Sequence, residues 1–325
     1  MSDSPEREAG WDPTPDPRAL AFDLDRALSA MVLVHSRVPE TALTAAALGT
    51  ERAGNGACIG DDGLVITIGY LVTEAEQVWL TSSEGQTAQG YVVGYDQETG
   101  FGLVRAVQPL DVSALSLGDS DSIEPHDPII VAAHGGREHA INAKVSTKGE
   151  FAGYWEYVLD EAIFTVPAHP NWGGTGAIGM HGELLGIGSL LVQQVTPSGE
   201  SASANMIVPI DLLKPIFDDL CNYGRRSTPA RPWMGMLVQD VGDNLVVGNT
   251  YPGCPADEAG LKPGDTILEV AGEPMTGLAQ MFRKVWSLGP AGTEIPLTLL
   301  REGQTLEVLL HSIDRNARLV YGKLH

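Results

Sequence analysis

Three observations predict a mostly β protein of two domains. Gly and Pro, 38 and 21 of 325 residues, make up about 18% of the chain, a turn-rich composition suited to short strands. From residue 53 on, short apolar runs recur every roughly 8–20 residues with few helical patterns between them, which indicates a sandwich or barrel. The stretch 222–232, NYGRRSTPARP, is polar, basic and Pro-containing, and reads as a linker to a further module. The length agrees with about two domains.

Along the chain, residues 1–15 are polar and Pro-rich and read as a disordered arm. Asp16 and Pro17 suit an N-cap and first helical turn, and Leu20, Leu24, Ala27, Leu28 and Met31 follow at helical spacing. This predicts one helix running into a strand at Met31–Val34. In GACIGDDGLVIT, Asp62-Gly63 lies between two apolar runs, a hairpin signal. QVWLTS, GYVVGYD, FGLVRA, DPIIVAAH, INAKVST, AIFTV, ELLGIGSLL and ANMIVP read as further strands, and DLLKPIFDDL, from Asp211, as a closing helix. Beyond the linker, Met236–Asp240, Asn244–Asn249, Thr266–Val270, Ile295–Leu300 and Glu307–His311 read as strands. PADEAG (255–260) and TGLAQMFRKVWS (276–287) read as helices. The expected division is an arm (1–15), a β body with its leading helix (16–222), a linker (223–231), a compact module (232–313) and a tail (314–325). No internal repeat is visible.

Acidic side chains number 42 against 20 basic, a formal charge of −22. Residues 31–222 hold 24 acids and 7 bases, whereas residues 231–325 hold 11 and 8. The charge therefore belongs to the β body, as a surface kept soluble by self-repulsion. So few cations argue against nucleic acid, where each phosphate contact needs one, and against an anionic membrane. Cys58, Cys221 and Cys254 are far apart, with no CxxC and no HExxH-like histidine spacing, so no metal or cofactor is expected. The opening MSDSPEREAGWDPTPDP has no apolar run of the kind a secretory signal carries. The expected location is cytoplasmic.

Several separate segments resemble the HtrA/Deg proteases. SLGDSDSIEPHDPIIVAAHG (116–135) is similar to the family's segment after the first barrel, FDLDRALSAMVLV (22–34) to its opening segment, and GYDQETGFGLVRA (94–106) to the strand around its catalytic Asp. GELLGIGSLL and MIVPIDLLKPIFDDL resemble the strand and closing helix flanking its specificity region. WMGMLVQDV and YPGCPADEAGLKPGDTILEVAGEPM resemble its PDZ domain. The resemblance covers about residues 20–312 and implies a chymotrypsin-like double β-barrel followed by one PDZ domain. It also implies a homotrimer built on the segment from Trp11 to Met31, with Trp11 and Phe22 as contacts.

Carried over residue by residue, the family's His falls at Tyr70, its Asp at Gly100, four residues after Asp96, and its nucleophile at Gly173 in HPNWGGTG. Serine-protease chemistry needs a nucleophile, a base titrating near neutrality and a carboxylate to orient that base. A phenol and two glycines supply none of these. Asn171 stands where the family has Gly in the oxyanion-hole turn, beside the bulky Trp172. Thr175 is the nearest hydroxyl for a relocated site, with His134, His139, His169 and His181 available in the sequence. In the PDZ module, Trp233, Met234, Gly235 and Met236 occupy the loop whose backbone N–H groups hold a peptide carboxylate in the family. Leu278, Met281 and Val285 share the helix face that would line the groove.

These readings lead to the expectation of a catalytically degenerate, non-catalytic scaffold that captures partner C-termini through the PDZ groove or partners through the barrel surface. A second expectation is an accessory or assembly subunit of a larger enzyme, with Trp172 and the run Tyr154-Trp155-Glu156-Tyr157 as exposed anchors. The third is an endopeptidase with a relocated site.

Overall fold

The computed structural model describes residues 13–195 and 201–320. Trp11, and residues 1–12 of the expected arm, lie outside the described residues. The expected leading helix is divided in two. Asp16 accepts from the Arg18 N–H at 3.0 Å and caps a 3₁₀ turn, Pro17–Ala19. The chain then extends, and Asp23 accepts from the Arg26 N–H at 3.1 Å to cap a separate helix, α1 (Leu24–Ser29). A second capping Asp thus overrides the continuous apolar spacing. Phe22, between the two turns, packs on Gly182, where a Cβ would lie 2.8 Å from its ring.

The first barrel comprises β1 (Met31–Arg37), β2 (Glu51–Cys58), β3 (Leu64–Ile68), β4 (Gln77–Thr81), β5 (Thr87–Tyr95) and β6 (Phe101–Ala106). A short helix, α2 (Ala45–Leu48), joins β1 to β2. The strands close in the order β1-β2-β3-β6-β5-β4. The Asp62-Gly63 turn lies between β2 and β3, with Gly63 at φ +76° and its N–H donating to Gly60 O at 3.1 Å. The second barrel comprises β7 (Pro128–Ala132), β8 (Ala140–Gly153), β9 (Tyr157–Val166), β10 (Gly176–Ile178), β11 (Leu184–Val195) and β12 (Ser201–Pro209). It closes as β7-β8-β9-β12-β11-β10, the connection order of the first. Apolar side chains of both barrels, among them Met31, Ile66, Phe101, Ile130 and Ile187, form one continuous core.

The closing helical pattern is also shorter than predicted. Two 3₁₀ turns precede α3 (Phe217–Tyr223), because Pro215 has no N–H for an α-helical ladder. Gly224, at φ +71°, ends α3.

The third unit is a sheet of β13 (Met236–Val241), β14 (Asn244–Thr250), β15 (Thr266–Val270), β16 (Glu273–Pro274), β17 (Glu294–Arg301) and β18 (Gln304–His311). Its order is β13-β14-β15-β17-β18, with β16 on β15, so β13 is an edge of the sheet. Helices α4 (Pro255–Glu258) and α5 (Leu278–Ser287) complete it. Leu278, Met281, Phe282 and Val285 put one face of α5 into the core.

Both ends of this unit are fastened to the first barrel. On the way in, Arg226 donates to both carboxylate oxygens of the buried Asp96, at 2.7 and 3.0 Å. On the way out, Arg315 donates to the Tyr95 hydroxyl at 3.1 Å and to Gln97. Further along, the Val320 N–H donates to the Glu74 carboxylate at 2.9 Å. Among the described residues, no helix is long and apolar enough to cross a membrane.

Candidate functional site

Two places gather chemistry-bearing groups: the cleft between the barrels and the edge of the third unit. In the cleft, Tyr70 lies in the 3₁₀ turn after β3, and Gly173 in the β9–β10 loop. A Cβ on Gly173 would lie 2.8 Å from the Tyr70 hydroxyl, so the two positions face each other across the barrel junction. The Tyr70 hydroxyl donates to Ser189 O at 2.8 Å. Burial drives its phenol well above the ordinary range, with a hydrogen bond toward Trp172 only partly opposing this. Gly100 precedes β6 at φ +82°, and its carbonyl accepts from the Gly69 N–H at 2.6 Å. A side chain there would start 3.3 Å from the Tyr157 hydroxyl and 3.4 Å from Ile68.

Asn55 of β2, a buried residue that sequence reasoning passed over, joins the two sides. Its N–H donates to Gly173 O at 2.8 Å and its Nδ2 to Asn171 O and Gly173 O at 3.2 and 3.0 Å. Its Oδ1 accepts from the His134 N–H at 2.9 Å. The signal was a lone amide in the otherwise small and apolar end of β2. Gly174, at φ +77°, passes so close that a Cβ would lie 1.8 Å from Asn55 O.

The candidate relocated groups are committed elsewhere. Thr175 is fully buried, and its Oγ1 donates to Trp172 O at 3.1 Å. His169 Nδ1 accepts from the Asn171 N–H at 3.1 Å and its Nε2 faces His139 O at 3.2 Å, an arrangement that suits the neutral ring with the proton on Nε2. Burial pushes its pKa down. That contact also takes up the Asn171 amide, one of the donors an oxyanion turn would use. His134 Nε2 faces Ser82 O at 3.0 Å.

At the edge of the third unit, Gly235 turns the chain at φ +73°, so that the N–H groups of residues 234–236 converge. The resulting cradle holds a carboxylate, and that carboxylate belongs to Glu156. Oε1 accepts from Met234, Gly235 and Met236 N–H at 3.2, 2.9 and 3.4 Å, and Oε2 from Met234 N–H at 3.0 Å. The Trp233 N–H donates instead to Ile313 O at 3.0 Å, so Trp233 is not part of the cradle. Burial pushes the Glu156 carboxyl up to about 7, against the opposing pull of the three amides and Arg315. Alongside, a cavity of about 580 Å³ is walled by Asp96, Glu98, Arg226, Arg231, Trp286 and Arg315.

The aromatic run around Glu156 is therefore not a set of exposed anchors. Tyr154 is 48% exposed, but Glu156 and Tyr157 are buried. Trp155 stacks on Tyr157, ring centroids 5.6 Å apart, and folds back over Gly153. Trp172 is 37% exposed, while its carbonyl serves Thr175. Phe22, expected at a trimer contact, packs on Gly182 of its own chain.

Residues 54–187 match the trypsin-like peptidase domain, and residues 232–311 the PDZ domain. A probable periplasmic serine endoprotease, DegP-like, of Pseudomonas fulva is 28% identical over 278 residues, 79% of this chain and 55% of its own length. The periplasmic serine endoprotease DegP of Salmonella typhimurium is 25% identical over 76% of this chain and 54% of its own. The chain thus spans about half the length of the curated relatives it matches. Among solved structures, the HtrA-type protease AlgW with a decapeptide superposes with a TM-score of 0.53 at 20% identity, covering 90% of this chain and 97% of AlgW.

The double-barrel and PDZ architecture stands. Two expectations do not. The curated relatives are named serine endoproteases, which points to protease function and overturns the non-catalytic scaffold and the accessory subunit. They are also named periplasmic, which overturns the cytoplasmic expectation. That expectation rested on the composition of the first residues alone.

Proposed function

We propose, on the premise that this is an HtrA/Deg-type chain with a trypsin-like peptidase domain and one PDZ domain, that it handles polypeptides in the periplasm in the service of proteolysis. In this reading the PDZ groove receives a polypeptide C-terminus by strand addition to β13, beside α5, whose expected pocket residues Leu278, Met281 and Val285 are buried in the core of the module. The observation that carries it is the cradle of residues 234–236, whose amides already hold a carboxylate.

Tyr70, Gly100 and Gly173 are, in the same proposal, the occupants of the three triad positions. The facing of Tyr70 and Gly173 across the cleft supports this, as does the bond from Gly69 to Gly100 beside them. Acyl transfer needs an oxygen or sulfur nucleophile and a base to take its proton. Glycine has no such atom, and a phenol held above its ordinary range is protonated at neutral pH. Hydrolysis by this chain therefore takes nothing from these three side chains.

The test is a fluorophosphonate probe and casein hydrolysis on the full chain, with Tyr70→Phe and the double variant Tyr70→His, Gly173→Ser. Native protein and Tyr70→Phe are expected to behave alike and to stay unlabelled at residues 169–176. The double variant is expected to gain labelling at position 173. Labelling of native Thr175, or loss of hydrolysis in Tyr70→Phe, overturns the assignment.

A further inference from the structure

We infer that the β8–β9 hairpin is an internal ligand of the PDZ domain, with Glu156 standing in for a peptide's terminal carboxylate, and that an incoming C-terminus must displace it. The inference rests on the reading of this groove as a C-terminus receptor and adds the regulation of that same groove.

Four observations converge on it. The Glu156 carboxylate fills the cradle with four hydrogen bonds from three consecutive residues. This is the way a terminal carboxylate is held. Two residues back, Tyr154 O accepts from the Val238 N–H at 2.9 Å. Val238 belongs to the edge strand β13, so the hairpin tip takes a main-chain bond that an added strand would take. On the other wall of the groove, Arg283 of α5 donates to Glu150 of β8 and Asp160 of β9, one on each arm of the hairpin. Finally, Ala152 and Val158, from the same two strands, join the apolar cluster that contains Met236, Leu278, Met281 and Val285. Carboxylate, backbone and side-chain contacts of a bound peptide are all supplied by the chain itself.

Part of the hairpin serves its own barrels, since Tyr157 and Leu159 lie in their core and Phe151 and Trp155 pack against it, whereas Glu156 is committed to the cradle. Glu156 sits at φ +62°, a conformation non-glycine residues seldom adopt. In that conformation its side chain is buried in the cradle while Trp155 folds back over Gly153. A glutamate at a tip that served only the barrel would point into water. A substrate that opens the groove is therefore a polypeptide with a free C-terminal carboxylate, and amidated or internal segments lack the group that replaces Glu156.

Polarisation of a fluorescein-labelled decapeptide ending in Val-Leu-Val, free acid against amide, tests this on the full chain. Glu156→Ala is expected to tighten free-acid binding at least tenfold, with Arg283→Ala giving a smaller gain. In hydrogen exchange, saturating peptide is expected to deprotect residues 150–157 of the native chain while residues 234–236 stay protected. Should Glu156→Ala fold poorly, Arg283→Ala and the native exchange experiment decide alone. Equal affinities in native protein and folded variants, or peptide binding without hairpin deprotection, overturn the internal-ligand reading only. If no variant binds the peptide while Glu156→Ala loses protection at 234–236, the C-terminus-receptor reading falls instead.

Discussion

The cleft between the barrels and the edge of the PDZ domain each turn on a glycine of left-handed φ, Gly174 and Gly235, and they differ in what the backbone groups around it hold. In the cleft, glycine and a half-buried phenol stand at the positions proposed for the triad, and the turn spends its amides and carbonyls on Asn55, His169 and Thr175. In the PDZ domain, the amides remain aimed at a carboxylate, supplied from 78 to 80 residues away in the chain. In the proposed assignment the first site is closed by its own covalent make-up. The second is closed by a contact that can be exchanged. A closed site therefore reports function only once it is known whether the closing group is removable.

The contrast can be broken most severely at Gly174. Its left-handed φ and the 1.8 Å approach to Asn55 O leave no place for a methyl, so Gly174→Ala should cost about 3 kcal/mol or more. Gly136 also has a left-handed φ but nothing within 4 Å, so Gly136→Ala should cost only about 1 kcal/mol. Chemical denaturation of the pair separates steric from conformational cost. Similar losses would show that the cleft yields.

Next in size is Asp96, a buried carboxylate four residues before Gly100. It accepts from Thr99 N–H and Oγ1 at 2.8 and 2.7 Å and from Arg226. Asp96→Ala should destabilise by about 2–4 kcal/mol while leaving the pH profile of any hydrolysis unchanged. A shifted profile would make it a participant in the cleft.

The pH dependence of peptide binding sharpens the other half. The Glu156 carboxyl titrates near 7 when docked and has its ordinary value near 4.5 when released. A raised pKa stabilises the docked state fully below the released value, and this contribution is lost as pH rises through 7. Arg315 and Tyr251 are the charged and titratable groups facing it, with Tyr154 on the hairpin itself. Peptide affinity should therefore climb between pH 5 and about 7.5, by up to about tenfold per unit, and level off. Glu156→Gln should flatten the curve. The smallest expected effect is that of Tyr70→Phe, which loses one partly buried hydrogen bond to Ser189 O and about 1 kcal/mol, measurable by thermal melting.

Much of this was legible in the residues. Turn chemistry and apolar alternation located most strands of the barrels and the PDZ domain, but passed over β10 and β16 and stopped β8 and β9 six and five residues short of their shared tip. The leading helix was misjudged because apolar spacing is blind to a second capping residue, Asp23, and the closing helix because Pro215 divides it. The duplication of connection order in the two barrels left no trace, since topology depends on strand pairing and not on residue identity. Tyr70, Gly100 and Gly173 are assigned to the triad positions by resemblance alone and stay a proposal. Glu156 could not be placed, because its partner lies in another domain. An acid among three aromatics at a hairpin tip reads as a surface feature until the cradle comes into view.

The fastening of the PDZ domain at both ends gives the hairpin an unusual advantage. Arg226 holds the way in and Arg315 and Val320 the way out, all to the first barrel, whereas the hairpin belongs to the second. When the two part, neither travels far, and Glu156 competes as a ligand at an effective concentration on the order of millimolar. A few stray C-termini would then leave the groove shut. The protein would respond to abundance, with a threshold set by tether geometry as much as by the affinity of any one sequence.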